Sequence, residues 1–388
     1  MSMAGEAAAD ARQKAASTLG YYNLKLGPTA WTFTGALGIE YNDNVDYQEV
    51  DPDADVILRP QMDTRMWWPI TDKNSLNLAV GLGYALYGCR SDLDRLYVAP
   101  GSEIAFDLAV KDFLINVHDR FSITEDAYQN PAVTRQADYS RLENVVGVTA
   151  NWDLNQLLLT LGYDHADYLS LSDTLRQTDG RTEVVFTRAG LALSKQSRLG
   201  LEAGSGFIDY TDASLNDGIQ YGGGGFYQAQ LSRYLSVNAR AGYTIYSPES
   251  GGTVGLTEDQ GAFYGQFTLH HRVNKVLTYA LVGGRMIQTG VQLGLYGQNL
   301  DYYFLRWSAS WNVMRKMTLS TACFFEEGTQ TGSFEEDFTR WGLEINLGRL
   351  ITQKLTAGLG YRFMNRDSSQ PLRGYTINSI FLNCAYRF

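Results

Sequence analysis

Nowhere in the chain do about 18 apolar side chains run together, so no helix of it is long and apolar enough to cross a bilayer. Proline is scarce, at 8 residues, which leaves room for long uninterrupted strands. The three cysteines, Cys89, Cys323 and Cys384, are odd in number, far apart and outside any paired spacing. They offer neither a disulfide framework nor a zinc site. Basic residues are outnumbered 32 to 42, and a net charge of −10 argues against the basic footprint of a nucleic-acid binder. The opening "MSMAGEAAADARQKAAS" has Glu6 and Asp10 where an export signal needs a basic start and an apolar core. It reads as an Ala-rich tail or short helix, too short and polar to be stable alone.

What the chain has in quantity is aromatic residues, at 13% with 25 Tyr, and 39 glycines. From Trp31 onward one pattern repeats. Runs of about ten to fourteen residues alternate apolar and polar, the length a tilted strand needs to cross a bilayer. "LNLAVGLGYALY" (76–87) sets Leu76, Leu78, Val80, Leu82, Tyr84 and Leu86 on one face and small residues on the other. "LTAGLGYRF" (355–363), "YFLRWSASWNV" (303–313) and "LSVNARAGYTIY" (235–246) repeat the arrangement. The terminal "FLNCAYRF" carries Leu382, Cys384, Tyr386 and Phe388 on one face to the last residue. A small, polar second face suits a wet interior better than a packed core.

The connections alternate in length. Tight ones such as "TDKN" (71–74), "DLNQ" (153–156) and "KQSR" (195–198) alternate with longer ones at Asn42–Asp53, Thr124–Asp138, Ser170–Gly180, Ser247–Gln260 and Glu326–Glu336. The pattern predicts an all-β, transmembrane antiparallel up-and-down β-barrel of about 18 strands with short periplasmic turns and long extracellular loops. It places a periplasmic tail at residues 1–28 and the barrel at 29–388. Pro60 inside the second strand is expected to mark a bulge. Two aromatic girdles are expected. Trp31, Trp67, Trp68, Trp152 and Trp311 fall at the short-turn ends; Tyr41, Tyr87, Tyr97, Tyr139, Tyr168, Tyr210, Tyr221, Tyr246 and Tyr375 fall near the long-loop ends. A soluble propeller shares the hairpin period, but its strands are shorter and its blade motif is absent.

The segments "LKLGP" (24–28) and "GALGIEYNDNV" (35–45), with many long hairpins and a terminal aromatic strand, resemble the β-barrel porin family of the second type. The specific part is short, chiefly Glu40 to Val45. The resemblance implies an outer-membrane protein, in contact with the lipid bilayer and lipopolysaccharide. Phe388 and Tyr386 resemble the C-terminal signal read by the barrel-insertion machinery. Self-association into a homo-oligomer is among the assemblies such a barrel allows.

No motif carries catalytic chemistry, so no enzyme and no cofactor is expected. Gly81-Leu82-Gly83 has no helix after it and fails as a dinucleotide loop. His270 and His271 are adjacent and point to opposite faces of a strand. His165 lies near Asp164, Asp167, Ser170 and Ser172 with no recognisable partner set and reads as solvated loop-edge chemistry. No metal site is expected; Asp43 and Asp46 in the acidic stretch 40–55 are a weak calcium candidate beside the reading as a solvated turn.

About 18 strands make a barrel too wide for side chains to fill, so a porin that passes small hydrophilic solutes is expected. The other reading is a structural or export barrel that anchors or escorts a partner or a polysaccharide. Strand parity turns Arg59, Arg120, Arg188, Arg240, Arg306 and Arg340 inward as pore-lining residues, with Glu344 and Asp63 as inward acids. Either these arginines give a mild anion preference, or they pair with wall acids and stiffen the barrel.

Overall fold

The computed structural model describes residues 22–388 except 125–130, 132, 133, 136, 137, 250, 251, 253–256, 290–297, 333 and 334. A short β1 (Leu24–Leu26) folds back on β2 (Thr29–Asn42) through Gly27, whose φ of 56° is the left-handed conformation that glycine adopts without strain. The next strands are β3 (Asp55–Thr71), β4 (Asn74–Tyr87), β5 (Arg95–Val110), β6 (Phe113–Thr124), β7 (Arg141–Leu154) and β8 (Leu157–Ser170). Then come β9 (Gly180–Ser194), β10 (Ser197–Tyr210), β11 (Gly218–Ser232), β12 (Leu235–Pro248), β13 (Gln260–Arg272) and β14 (Leu277–Thr289). The chain ends with β15 (Gln298–Met314), β16 (Met317–Gly332), β17 (Glu336–Leu350), β18 (Leu355–Ser368) and β19 (Tyr375–Arg387).

Each strand pairs antiparallel with its sequence neighbours, and β19 closes on β2, with Leu382 opposite Ile39 and Tyr386 opposite Gly35. The result is a closed barrel of 18 strands, β2 to β19. Closure removes the edges that an open sheet would expose. Six of the connections at one end are two-residue turns, such as Asp72-Lys73 and Lys195-Gln196; Lys111, Asn155 and Lys316 take left-handed φ of 53°, 67° and 67° in three of them. The segment 1–21 lies outside the described residues, and Leu24–Leu26 of the expected tail is part of the sheet.

Alternation sorts the side chains as the pattern requires. Leu37, Leu82, Leu201, Phe263, Leu359 and Leu382 project outward and are exposed. Their strand neighbours, among them Gly38, Gly81, Gly358 and Asn383, face the lumen. An apolar exterior with a polar interior inverts the soluble plan and fits lipid outside and water inside.

Three expectations are corrected. Pro60 makes no bulge: the β3–β4 register is the same on either side of it, Leu58 to Leu86 and Gln61 to Gly83. Lacking an N–H, proline drops its ladder bond without slipping the strand. The stretch 326–336 is mostly strand, since β16 runs to Gly332 with Glu326, Gly328 and Gln330 inward. Its inward polar residues gave it the look of a loop. The expected long-loop girdle also divides. Trp31, Trp68, Trp152 and Trp311 point outward at the short-turn end, and Tyr41 and Tyr221 point outward at the other. Tyr87, Tyr168 and Tyr210 have the opposite parity and turn inward, as do Tyr97, Tyr246 and Tyr375. Tyr168 and Tyr210 pack with Ile208 and Tyr246, and Tyr87 packs with Ile57, Ala85 and Tyr97. These rings find apolar partners inside the barrel.

Candidate functional site in the barrel lumen

The lumen wall is built from a repeated layer of glycine, ring, arginine and carboxylate. On β18, Gly360 lies opposite Phe381 of β19, and the ring lies flat over it; a Cβ on Gly360 would collide with the ring. Arg362, two residues along, lies over that ring with its guanidinium carbon 5.5 Å from the ring centre. Its Nε then donates to Glu344 directly opposite on β17, at 3.2 Å.

Two further sets follow the same rule. Gly342 faces Phe324, Arg340 lies over Phe324 at 5.1 Å, and Arg340 donates to Glu326 opposite it at 2.8 Å. Gly200 faces Phe226, Arg188 lies over Phe226 at 5.2 Å, and Arg188 donates to Glu202 opposite it at 2.7 Å. The missing Cβ lets the ring lie down, the ring face attracts the guanidinium, and the carboxylate fixes its direction. Arginines held flat in this way cannot fold across the passage.

The predicted pore-lining residues all take the inward parity, in different settings. Arg59 is bound by Glu40 at 2.5 Å. Arg120 donates to His118 at 2.9 Å. Arg240 donates to the neutral carbonyl of Gln266 at 3.0 Å. Arg306, about half exposed, reaches Glu326 at 2.7 Å. Arg340 is a correction: at 2% side-chain exposure it is walled in between Glu326 and Phe324 and does not line the passage. Glu344 is partly exposed and holds Arg362. Asp63 accepts from Gln61 at 2.7 Å. Glu40, Arg59, Arg362 and Glu344 together border a niche of about 360 Å³ with Asn346 and Asn383.

Sequence reasoning missed Glu40, Glu202, Glu326, Arg362 and His118. The available signal was a glycine two residues from a charge on an inward face: Gly360-x-Arg362, Arg340-x-Gly342 and Gly200-x-Glu202.

At the long-loop end the loops enter the barrel. Asn44, Val45, Asp46 and Tyr47 are buried, and Tyr47 packs with Tyr139, Met364, Tyr375 and Ile377. The backbone N–H of Arg135 donates to Tyr47 O at 3.1 Å, and Arg95 pairs with Asp138. Arg366 is held by Glu336 at 2.8 Å, and Glu336 also binds Arg373 at 2.8 Å. The two calcium candidates diverge. Asp43 accepts from the backbone and side chain of Asn378 at 2.7 and 2.8 Å, while Asp46 is paired with Arg90 at 2.9 Å. Burial, with a hydrogen bond to Asp53, pushes the Asp46 carboxyl above its usual range although Arg90 opposes the shift. Among the described residues no group of His, Cys, Asp or Glu is arranged for a metal ion.

The His165 cluster splits by parity. His165 faces outward and is bound by Glu183 at 2.7 Å and Asp167 at 3.1 Å, whereas Asp164 faces inward. Phe388 and Tyr386 face outward, ring against ring at 5.3 Å, and the Phe388 N–H donates to Phe33 O at 3.2 Å.

No protein-family model and no curated protein matches the chain. Solved structures do match. A BenF-like porin from Pseudomonas fluorescens Pf-5 is 11% identical, with a TM-score of 0.54 over 94% of this chain and 100% of that one. OpdQ of Pseudomonas aeruginosa is 11% identical, with a TM-score of 0.53 over 94% and 100%. OccK2 of Pseudomonas aeruginosa, solved in complex with glucuronate, is 14% identical, with a TM-score of 0.51 over 94% and 99%. At such identities the likeness establishes the fold alone, a transmembrane antiparallel β-barrel.

Proposed function

We propose that the chain is an outer-membrane channel that gives small hydrophilic solutes passive passage, with a mild preference for anions. The observation that carries this is the placement of Arg59, Arg120, Arg188, Arg240, Arg306 and Arg362 on the inner face of a barrel whose exterior is apolar. Low-dielectric walls focus the field of such charges and raise the local concentration of anions. Several are matched by carboxylates, which keeps the preference mild: Glu40, Glu202, Glu326 and Glu344 all hold an arginine. The glucuronate bound by the similarly folded OccK2 is a small carboxylate of the kind such a wall would admit. Lipid on the outer face, lipopolysaccharide at the long-loop rim and Phe388 with Tyr386 as the insertion signal belong to the same reading.

The zero-current potential of the purified protein in a planar bilayer under a salt gradient tests it. We expect an anion-selective wild type and a smaller preference in Arg240→Ala and Arg306→Ala. A cation-selective wild type, or two variants indistinguishable from it, overturns the anion preference. A barrel that carries no current with its full chain favours the anchoring or export reading.

A further inference from the structure

His118 of β6 sits on the inner face with its side chain 4% exposed, and its two ring nitrogens meet three groups. Nδ1 lies 2.9 Å from Oδ1 of Asn116. The orientation of that amide is set at its other end, where Nδ2 donates to Asp107 at 2.9 Å. Asn116 Oδ1 is therefore an acceptor, and Nδ1 of His118 carries a proton. Nε2 lies 2.9 Å from Nη2 of Arg120, which can only donate. The same Nε2 lies 3.0 Å from Oδ1 of Asp164, which, ionised, can only accept.

One ring atom cannot serve both neighbours. A neutral ring accepts from Arg120 and leaves two acceptors face to face at Asp164. A protonated ring donates to Asn116 and Asp164 and presents Nε2–H to a guanidinium. Arg120 has little else to hold it: among the described residues its buried Nε has no hydrogen-bond partner, and its ion pair with Asp164 Oδ2 spans 3.7 Å. The close approach is built into the backbone. A Cβ on Gly147 would lie 2.8 Å from His118 Nε2 and would collide with Asp164.

We propose that His118 is the residue that positions Arg120 and so sets the selectivity of the passage, and that protonation of its ring turns the Arg120 guanidinium toward the lumen. The proposal rests on the channel reading above. The other charged groups on this inner face, from β5 to β8, include Glu103 and Asp107 on β5, Arg141 and Glu143 on β7 and Asp164 on β8. Histidine is the side chain whose charge ordinarily changes between pH 5 and 8. The chain has four histidines, of which His165 and His271 face outward and His270 faces the lumen on β13. A charged ring would add an imidazolium to the wall and move the guanidinium toward the solute.

The test is the anion-to-cation permeability ratio, from zero-current potentials in planar bilayers, at steps between pH 8 and pH 5. We expect the wild-type ratio to rise by roughly twofold or more as pH falls. His118→Gln, which keeps a donor and an acceptor but cannot be protonated, should flatten the profile. Arg120→Gln, which keeps His118, should cut the rise to less than half, and His270→Gln, which removes the other lumen-facing imidazole but leaves the His118–Arg120 contact, should lower it by less than His118→Gln does. A His118→Gln profile as steep as the wild type assigns the response to the carboxylates and overturns the proposal. So does a wild-type ratio that is flat with pH. If His118→Gln does not insert, an Arg120→Gln profile equal to the wild type overturns it. A wild type without conductance rejects the channel reading itself, whereas a conducting wild type with a His118-independent profile rejects only this inference.

Discussion

Arg366 Nε donates to the backbone carbonyl of Pro131 at 3.3 Å, a contact between residues 235 apart in sequence. Pro131 belongs to the connection between β6 and β7, which therefore reaches a wall strand, β18, several strands away around the barrel. Arg366 also donates to Arg373 O at 2.7 Å and is fully buried against Glu336. The buried acid fixes the arginine, and the arginine holds Pro131 against β18.

Glu336 should therefore control both stability and passage. Glu336→Gln leaves Arg366 buried beside a neutral partner, and losing one member of a buried pair costs about 3–5 kcal/mol. We expect a lower thermal midpoint in detergent and a higher single-channel conductance as the loop contact loosens. Unchanged values of both would show that Arg366 holds the loop without help from Glu336.

The glycine floor makes a second prediction. Gly360→Ala places a methyl group where the Phe381 ring lies, and overpacking of this kind costs about 1–3 kcal/mol. Gly348→Ala, whose Cβ would meet only Thr318 O at 3.8 Å, should be close to neutral. Urea midpoints of the refolded barrels compare the two. Equal midpoints would mean that the ring moves aside freely and that the layer of ring and arginine is not held by the glycine.

The exterior of this fold was legible in the sequence and the interior much less so. Outward leucines such as Leu82 and Leu359 stand out because lipid demands an apolar residue at every second position. Strand number and closure followed from that period and from the turns. Inward residues have no such uniform solvent. Tyr87 and Tyr210 looked like girdle residues because their height along the strand is right, yet parity puts them in contact with inner side chains. Glu326 looked like a loop residue because it is polar, yet it is fully buried between two arginines. Pairing across strands decides these cases, and cross-strand register is not written in local composition.

Orientation yields a third prediction. Asp51 lies exposed in the connection between β2 and β3, and Lys195 lies exposed in the tight turn between β9 and β10. In outer-membrane barrels the long loops face the cell exterior. In a background without Cys89, Cys323 and Cys384, an impermeant maleimide on intact cells should label Asp51→Cys and spare Lys195→Cys. Labelling of Lys195→Cys alone would invert the barrel.

The lipid face can be tested against its immediate neighbour. Leu359 is 56% exposed on the outer wall, and Gly358 lies on the lumen side of the same strand. An arginine on the lipid face near the bilayer midplane costs about 2–4 kcal/mol, because the charge leaves water for hydrocarbon. A serine at 358 brings a hydroxyl into the polar lumen, where Asn346 Oδ1 lies 3.1 Å from the new Cβ position and can accept from it. Leu359→Arg should therefore insert poorly and unfold at lower urea, whereas Gly358→Ser should insert and hold its midpoint. Leu382, opposite Leu359 on β19, should behave as Leu359 does. If the arginine at 359 is tolerated as well as the serine at 358, the wall of β18 does not face lipid. A partner must then cover Leu359 and Leu382 together, since the two side chains share one patch.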